Sequence, residues 1–448
     1  MGSRRPSHSQ PEAEPLDLAA IGAGPANLSL AALAAPLAEL KVIVLERKRS
    51  FSWHPGNLFL GAGVTTAPLK DLVTLVDPTN PLSFLNFLAE DGRLYRSLIA
   101  GRDGATRREF SEYFAWAAAR CPSVRFGVEV AGVDHDGRHF ILESEEGTWR
   151  ARNLVLGIGL SPSLPACTRP LLGSRVFHAS RFLDEPREIA GRRVLVVGGG
   201  QSAAEVALHV LRDDASLPSR LTWVSNRHGF LPLDDSPFSN EWFNPRYTEY
   251  FHHLPARRRA ELLQRQLLAS DGANQSTLQA VYGRLYELDY FEGPTIEHDL
   301  LGGHELVALR EGLHGDYEAV LECHDTGMRD VVRADTVILA TGYRSQLPQL
   351  LEPLAHRIAT GNEGPYRVGP DYELEWDGPE GQRIFVQGAA RNSHGIADPN
   401  LSLASWRSAV ILNKVCGRRA YPVERGDITL SLDLGLAPLV QPKAKEER

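Results

Sequence analysis

Two periodicities divide the chain. The segment LDLAAIGAGPANLSLAALAAPL, followed by KVIVLERK, reads as a short apolar strand, a glycine turn, a helix of small residues and a second strand. This is a βαβ unit. The pattern recurs from Arg192, where RRVLVVGGGQSAAEVALHVL leads into LTWVSNR and ends near Arg227. Between Ser236 and Leu288 the period turns helical, as in PARRRAELLQRQLLA, with apolar positions on one face and charges on the other. Strand patterns return at AVLECH, at DTVILATGYRS (Asp335 to Ser345) and at RIFVQGAARN, which runs through a loop into an apolar helix.

These patterns predict an α/β chain with two Rossmann-like dinucleotide-binding domains and a helical substrate-binding subdomain. The expected boundaries are a disordered leader over 1–15, a discontinuous first domain over 16–185 and 335–424, and a second domain over 186–235 and 289–334. The helical subdomain spans 236–288 and a C-terminal tail spans 425–448.

Composition narrows the function. With 448 residues, 43% of them hydrophobic, the chain is long enough for two or three packed domains. A net charge of −8 and the lack of an aromatic-rich basic patch argue against nucleic acid as a partner. Cys121, Cys167, Cys323 and Cys416 form no CxxC pair, so neither a zinc site nor a disulfide framework is expected. The same spacing argues against a disulfide reductase, which needs paired redox cysteines. No run reaches the roughly 20 apolar residues of a membrane span, and the expected location is cytoplasmic.

In the first unit, Gly22 permits a tight turn and Gly24 lets backbone approach a pyrophosphate at the helix N-terminus, where Pro25 begins the helix. Asn27 takes the place of the usual third glycine. Glu46, closing the next strand, is spaced to bind ribose hydroxyls. The second unit carries Gly198, Gly200, Gln201 and Ser202, and its following strand ends in Ser225 and Arg227 with no acid. A carboxylate there would repel a 2′-phosphate, whereas serine and arginine can bind one, unless Arg227 is only a solvated loop charge. The two chemistries point to FAD at the first site and NADPH at the second. Thr341 and Gly342, in ATG after the strand VILA, provide small residues where the chain returns towards the flavin.

The motifs GAGPANLSLAAL, SWHPGNLFL, PLKDLVTLVDPTNPLSFLNFL, GGGQSAAE, DDSPFSNEWFNPRY and SHGIADPNLSL resemble the flavin-dependent N-hydroxylating monooxygenases of siderophore biosynthesis. The likeness runs from about Asp17 to Asn413. GRLYRSL, RREFSEYFAWAA, LLASDG and HGIADPNLSLASWRSA look more like the lysine N6-hydroxylase branch than the ornithine branch. The resemblance implies reduction of FAD by NADPH, retention of NADP+, reaction with O2 to a C4a-hydroperoxyflavin, and attack by a neutral terminal amine, with L-lysine the favoured substrate. No side chain is needed as acid or base, since the flavin carries the redox chemistry.

The family pattern places Lys70 and Asn240 at the substrate carboxylate and Ser402 at the far end of the amine pocket. A salt bridge from Lys70 to a structural acid, or compensation by Asp71, remains the other reading. Trp53, His54 and Asn57 are implied neighbours of the isoalloxazine, and Thr65 stands in a flavin-facing segment where members carry glutamine. Asn274 corresponds to a nicotinamide-ribose contact, while His394, Asn400 and Leu401 lie at the flavin's pyrimidine edge. The same chemistry on ornithine, cadaverine or putrescine, and a nucleotide-binding regulator without turnover, are the competing readings. The resemblance leaves a homodimer and a homotetramer both open.

Overall fold

The computed structural model describes residues 14–59, 67–101, 104–184, 188–212, 217–292, 296–361, 364–423 and 428–432. Residues 1–13 of the expected leader over 1–15, Thr65 and the part of the expected tail beyond 432 lie outside the described residues.

The first unit opens with β1 (Leu16–Ile21), α1 (Pro25–Ala34) and β2 (Val42–Glu46). It continues through α2 (Phe84–Glu90), α3 (Leu94–Ile99), α4 (Arg107–Ala118), β3 (Val124–Phe126), β4 (Gly132–His135), β5 (Phe140–Ser144) and β6 (Gly147–Leu156). After β7 (Ser161–Pro162) and β8 (Val176–His178) comes the second unit, with β9 (Arg193–Val197), α5 (Gln201–Val210) and β10 (Arg220–Ser225). A helical stretch follows, made of α6 (Pro237–Asn240), α7 (Pro245–His253), α8 (Ala256–Arg265), α9 (Leu267–Asp271) and α10 (Gln275–Tyr290). The chain then forms β11 (Glu297–Gly302), β12 (His304–Glu311), β13 (Tyr317–Cys323), β14 (Arg329–Ala334), β15 (Thr336–Leu339) and β16 (Tyr343–Arg344). It closes with β17 (Ile384–Val386), α11 (Arg391–His394) and α12 (Ala404–Cys416).

The first sheet has the order β3-β2-β1-β6-β5-β4, and β17 also pairs with β6. β1 runs parallel to β2 and β6, while β4 and β5 add an antiparallel meander. One face is covered by α1, α4 and α12, and the other packs against the meander and the 351–374 segment. The second sheet, β11-β10-β9-β15-β8, is parallel throughout. It is buried between α5 and α10 on one side and the three-stranded sheet β12-β13-β14 on the other. Burial on both faces explains why β1, β9 and β15 read as continuous apolar runs and not as alternating ones.

Two expected boundaries need correction. β8 lies inside the span assigned to the first domain, and β15 inside its returning half, yet both are ladder strands of the second sheet. Sheet membership is decided by long-range pairing, to which a local apolar pattern is blind. The return to the first sheet comes later, at β17. The chain crosses between the units on two strands zipped together, β7 and β16, where Ser163 N–H donates to the Gly342 carbonyl at 2.8 Å. The Thr341 hydroxyl donates to the Ser163 carbonyl beside it. Among the described residues no helix is long and apolar enough to cross a membrane.

Candidate functional site

At the first turn Gly22 adopts φ +90°, and a Cβ there would lie 2.6 Å from the Gly157 carbonyl oxygen, so only glycine fits. Gly24 caps α1 with no side-chain hydrogen bond, Pro25 follows it, and the first turn carries no acid. The leading amides of α1 therefore remain available to an anion. Glu46 stands beside this end of the helix, accepting from Ala23 N–H at 2.8 Å and Lys48 N–H at 3.0 Å. A carboxylate has about four acceptor positions, so capacity is left for ribose hydroxyls.

Asn27, assigned as a cofactor contact, is fully buried. Its amide donates to the Ile21 and Gly22 carbonyls at 3.0 and 2.8 Å and accepts from Gln387 at 3.0 Å. It supports the turn from beneath and presents no surface to a ligand. Asn57 needs the same correction: it is buried, and its amide, oriented by its hydrogen bonds, donates to the Gly56 and Ala179 carbonyls.

The second turn repeats the design with different side chains. Gly198 (φ +141°) sits where a Cβ would meet the Ala340 carbonyl at 2.1 Å, and Gly200 caps α5 without a side-chain bond. Ser202 follows Gln201 in the first turn of α5. The Gln201 amide donates to Glu205 at 2.9 Å, and its oxygen accepts from Asn274 N–H at 2.6 Å, which brings the start of α10 to the turn. Ser225 packs against Gly199, and its hydroxyl accepts from Arg227 N–H at 3.1 Å. The Arg227 guanidinium donates to the Asp271 carbonyl at 2.9 Å, so it is held at the turn and does not trail into solvent.

In the LKD segment, the Asp71 carboxylate is buried and accepts from the backbone N–H groups of Val73, Thr74 and Phe84 at 2.7–2.9 Å. It is fully used in shaping its own loop. Among the described residues no carboxylate pairs with the half-buried Lys70, and burial lowers its pKa. Its ammonium lies 6.0 Å from the centre of the Phe243 ring, three residues beyond Asn240, so the LKD and SPFSNEWFNP turns face each other. Asn240 is exposed, with its amide donating to the Asp235 carbonyl at 2.8 Å.

Ser402 is buried and donates to the Asn400 side chain at 2.8 Å, while Asn400 also caps the turn begun by Leu401. The hydroxyl's proton thus serves the loop. A cavity of about 650 Å³ opens between α7 and α12, walled by His252, His394, Trp406 and Lys414 among others. None of the glycine-turn residues lines it.

Trp53 packs edge-on against Phe114 and tilts 5.0 Å from His54. His54 holds the left-handed φ of +47°, strained for a non-glycine residue. It keeps an accessible edge, yet surrounding protein, with the Arg107 and Lys48 cations, pushes its pKa down to about 4. The imidazole is neutral at physiological pH.

The sequence profile of the L-lysine 6-monooxygenase/L-ornithine 5-monooxygenase family matches residues 14–345. The chain belongs to that family. It is 38% identical to the L-lysine N6-monooxygenase of Escherichia coli over 408 residues, 91% of this chain and 96% of the relative. Its fold matches the FAD-bound cadaverine monooxygenase of Erwinia amylovora with a TM-score of 0.88 at 33% identity, covering 93% and 98% of the two chains. The ornithine N-hydroxylase of Kutzneria sp. 744, solved with reduced FAD, NADP+ and L-ornithine, matches with a TM-score of 0.82 at 29% identity over 91% and 100%. This N-hydroxylating monooxygenase fits two dinucleotides on its own geometry: two uncapped helix N-termini behind obligatory glycines, one flanked by Glu46 and the other by Ser225 and Arg227.

Sequence reasoning missed two arrangements. Arg107 and Glu205 form an ion pair between the two units, and Asp398 and Arg407 form one beneath the SHGIADPN loop. Each joins residues apart in sequence, and nothing local marks a charge as buried.

Proposed function

We propose that this monooxygenase hydroxylates the side-chain amine of L-lysine, with FAD at the first turn and NADPH at the second. Lys70 carries the reading: it is a half-buried cation without a carboxylate partner among the described residues, set opposite the Asn240 turn. A buried charge needs compensation, and the α-carboxylate of an amino acid supplies it. A diamine brings a second cation instead. The 38% identity to the lysine enzyme over nearly the whole chain supports lysine over ornithine.

Bound at the two turns, FAD and NADPH would supply the reductive activation of O2, one oxygen atom going to the amine and the other to water. The chain's task is to bind, orient and keep dry. Trp53 and the neutral His54 wall the flavin side of the cleft. The Lys70 ammonium and the Asn240 amide fix the carboxylate end, so that the terminal amine points inward. The substrate ammonium, with an unperturbed pKa of about 10.4, must enter or become neutral, which low-polarity surroundings favour.

Replacing Lys70 by alanine tests this. A charge-assisted contact contributes about 1.5–3 kcal/mol, so the KM for lysine is expected to rise roughly 10- to 150-fold while cadaverine turnover and flavin content hold. Equal losses on both amines would contradict the carboxylate role.

A further inference from the structure

We infer that the buried Arg107–Glu205 pair is a positioning device that sets the second dinucleotide site against the first for hydride transfer. This rests on the assignment of FAD and NADPH to the two turns. Arg107 begins α4 in the first unit, and Glu205 lies one turn into α5, the helix opened by the second glycine turn. Their side chains are 12% and 2% exposed. The guanidinium meets the carboxylate through two parallel bonds, Nη1 to Oε2 at 3.1 Å and Nη2 to Oε1 at 3.2 Å.

Both ends are tied to nucleotide-side elements. Arg107 Nη1 also donates to the Asn57 carbonyl at 2.6 Å, in the segment that carries Trp53 and His54. Glu205 Oε1 also accepts from the Gln201 amide, whose oxygen receives Asn274 N–H. An unbroken chain of hydrogen bonds thus runs from the flavin-side segment through the pair to the second turn and the start of α10.

Stability alone does not account for it. A buried ion pair contributes little net stability compared with apolar residues of the same volume. What a planar two-bond fork adds is a defined angle and register between its two supports. Other ties between the units are the two-residue β7–β16 ladder, the bond from Leu183 N–H to the Gly56 carbonyl at 3.1 Å and the more exposed Arg391–Asp271 ion pair, and the Arg107–Glu205 fork adds to them a buried two-bond contact between α4 and α5. Hydride transfer requires donor and acceptor carbons within near-attack distance, and displacements of about 1 Å cost of order 100-fold.

The test uses full-length holoenzyme and anaerobic stopped-flow reduction of the flavin by NADPH. The double variant R107M/E205M removes both charges together, so that neither is left buried and unpaired, and retains the apolar stems, at the loss of the bonds to the Asn57 carbonyl and the Gln201 amide. The expected result is a limiting reduction rate at least tenfold below wild type, with flavin content, photoreduction and the apparent NADPH Kd each within threefold. E205Q, which keeps the shape and the Gln201 contact but loses the charge, is expected to fall between the two.

A double variant that reduces at the wild-type rate overturns the inference. Should the double variant lose its flavin, E205Q at the wild-type rate overturns it equally. Failure of NADPH to reduce the wild-type flavin would instead strike the underlying cofactor assignment.

Discussion

Gly22 shows how single residues set the site. Its φ of +90° costs an L-residue about 1–2 kcal/mol, and a methyl group would press on the Gly157 carbonyl 2.6 Å away. Gly22→Ala is therefore expected to lower the melting temperature by several degrees and to reduce the FAD recovered per chain. A variant with full flavin and an unchanged melting temperature would contradict the cradle.

His394 makes a residue-scale prediction about pH. It is buried against Tyr372 at 4.1 Å and faces His252, with the Arg407 and Arg259 cations nearby. Burial first, then these charges, push its pKa down to about 3. The folded state thus refuses a proton that the unfolded chain accepts below about pH 6.5. Stability from this group is whole above that pH and declines as pH falls towards 3, by up to about 1.4 kcal/mol per pH unit. His394→Gln is expected to flatten the melting temperature against pH between 6.5 and 4, and an unchanged slope would count against it. His54 acts in the same direction, but its accessible edge lets solvent screen the effect.

Among the elements, the loop between α11 and α12 is held by a polar core. Asp398 accepts from Ala390 N–H at 2.6 Å and from Arg407 at 2.9 Å, and Arg407 donates onward to Gln387 at 3.1 Å. Gln387 in turn reaches Asn27 under the first glycine turn, so the loop and the turn are registered to each other. Asp398→Leu alone leaves Arg407 buried without its carboxylate, an expected loss of about 3–5 kcal/mol in urea unfolding. The double variant D398L/R407M is expected to recover most of that, and failure to do so would show that the pair itself is worth more than its apolar replacement.

Legibility followed this division. Strand, glycine turn, helix and closing acid are local in sequence, so both turns, Glu46 and Arg227 could be placed from the chain. The roles of Asn27 and Asn57 are not legible in this way, because a small polar residue beside a turn has the same pattern whether it faces the ligand or props the backbone. Arg107, Glu205 and Arg407 gave no sign of burial, since their partners lie 98 and 9 residues away and only folding brings them together.

At the scale of the whole molecule, two sheets buried on both faces carry one dinucleotide cradle each, joined by the β7–β16 crossing and the Arg107–Glu205 pair. The apolar patterns announced the two sheets. They did not announce that β8 and β15 belong to the second, because parallel pairing across long connections is a property of the assembled fold. The Lys70 and Asn240 turns face each other, and the proposed function puts the substrate carboxylate there.

The most direct measurement is NADPH oxidation by the holoenzyme, with hydroxylamine product quantified, on L-lysine, L-ornithine, cadaverine and putrescine. The account predicts the highest kcat/KM on L-lysine, with N6-hydroxylysine formed in step with NADPH consumed. Preferred turnover of either diamine, or NADPH oxidation that no amine converts into hydroxylamine, would contradict it.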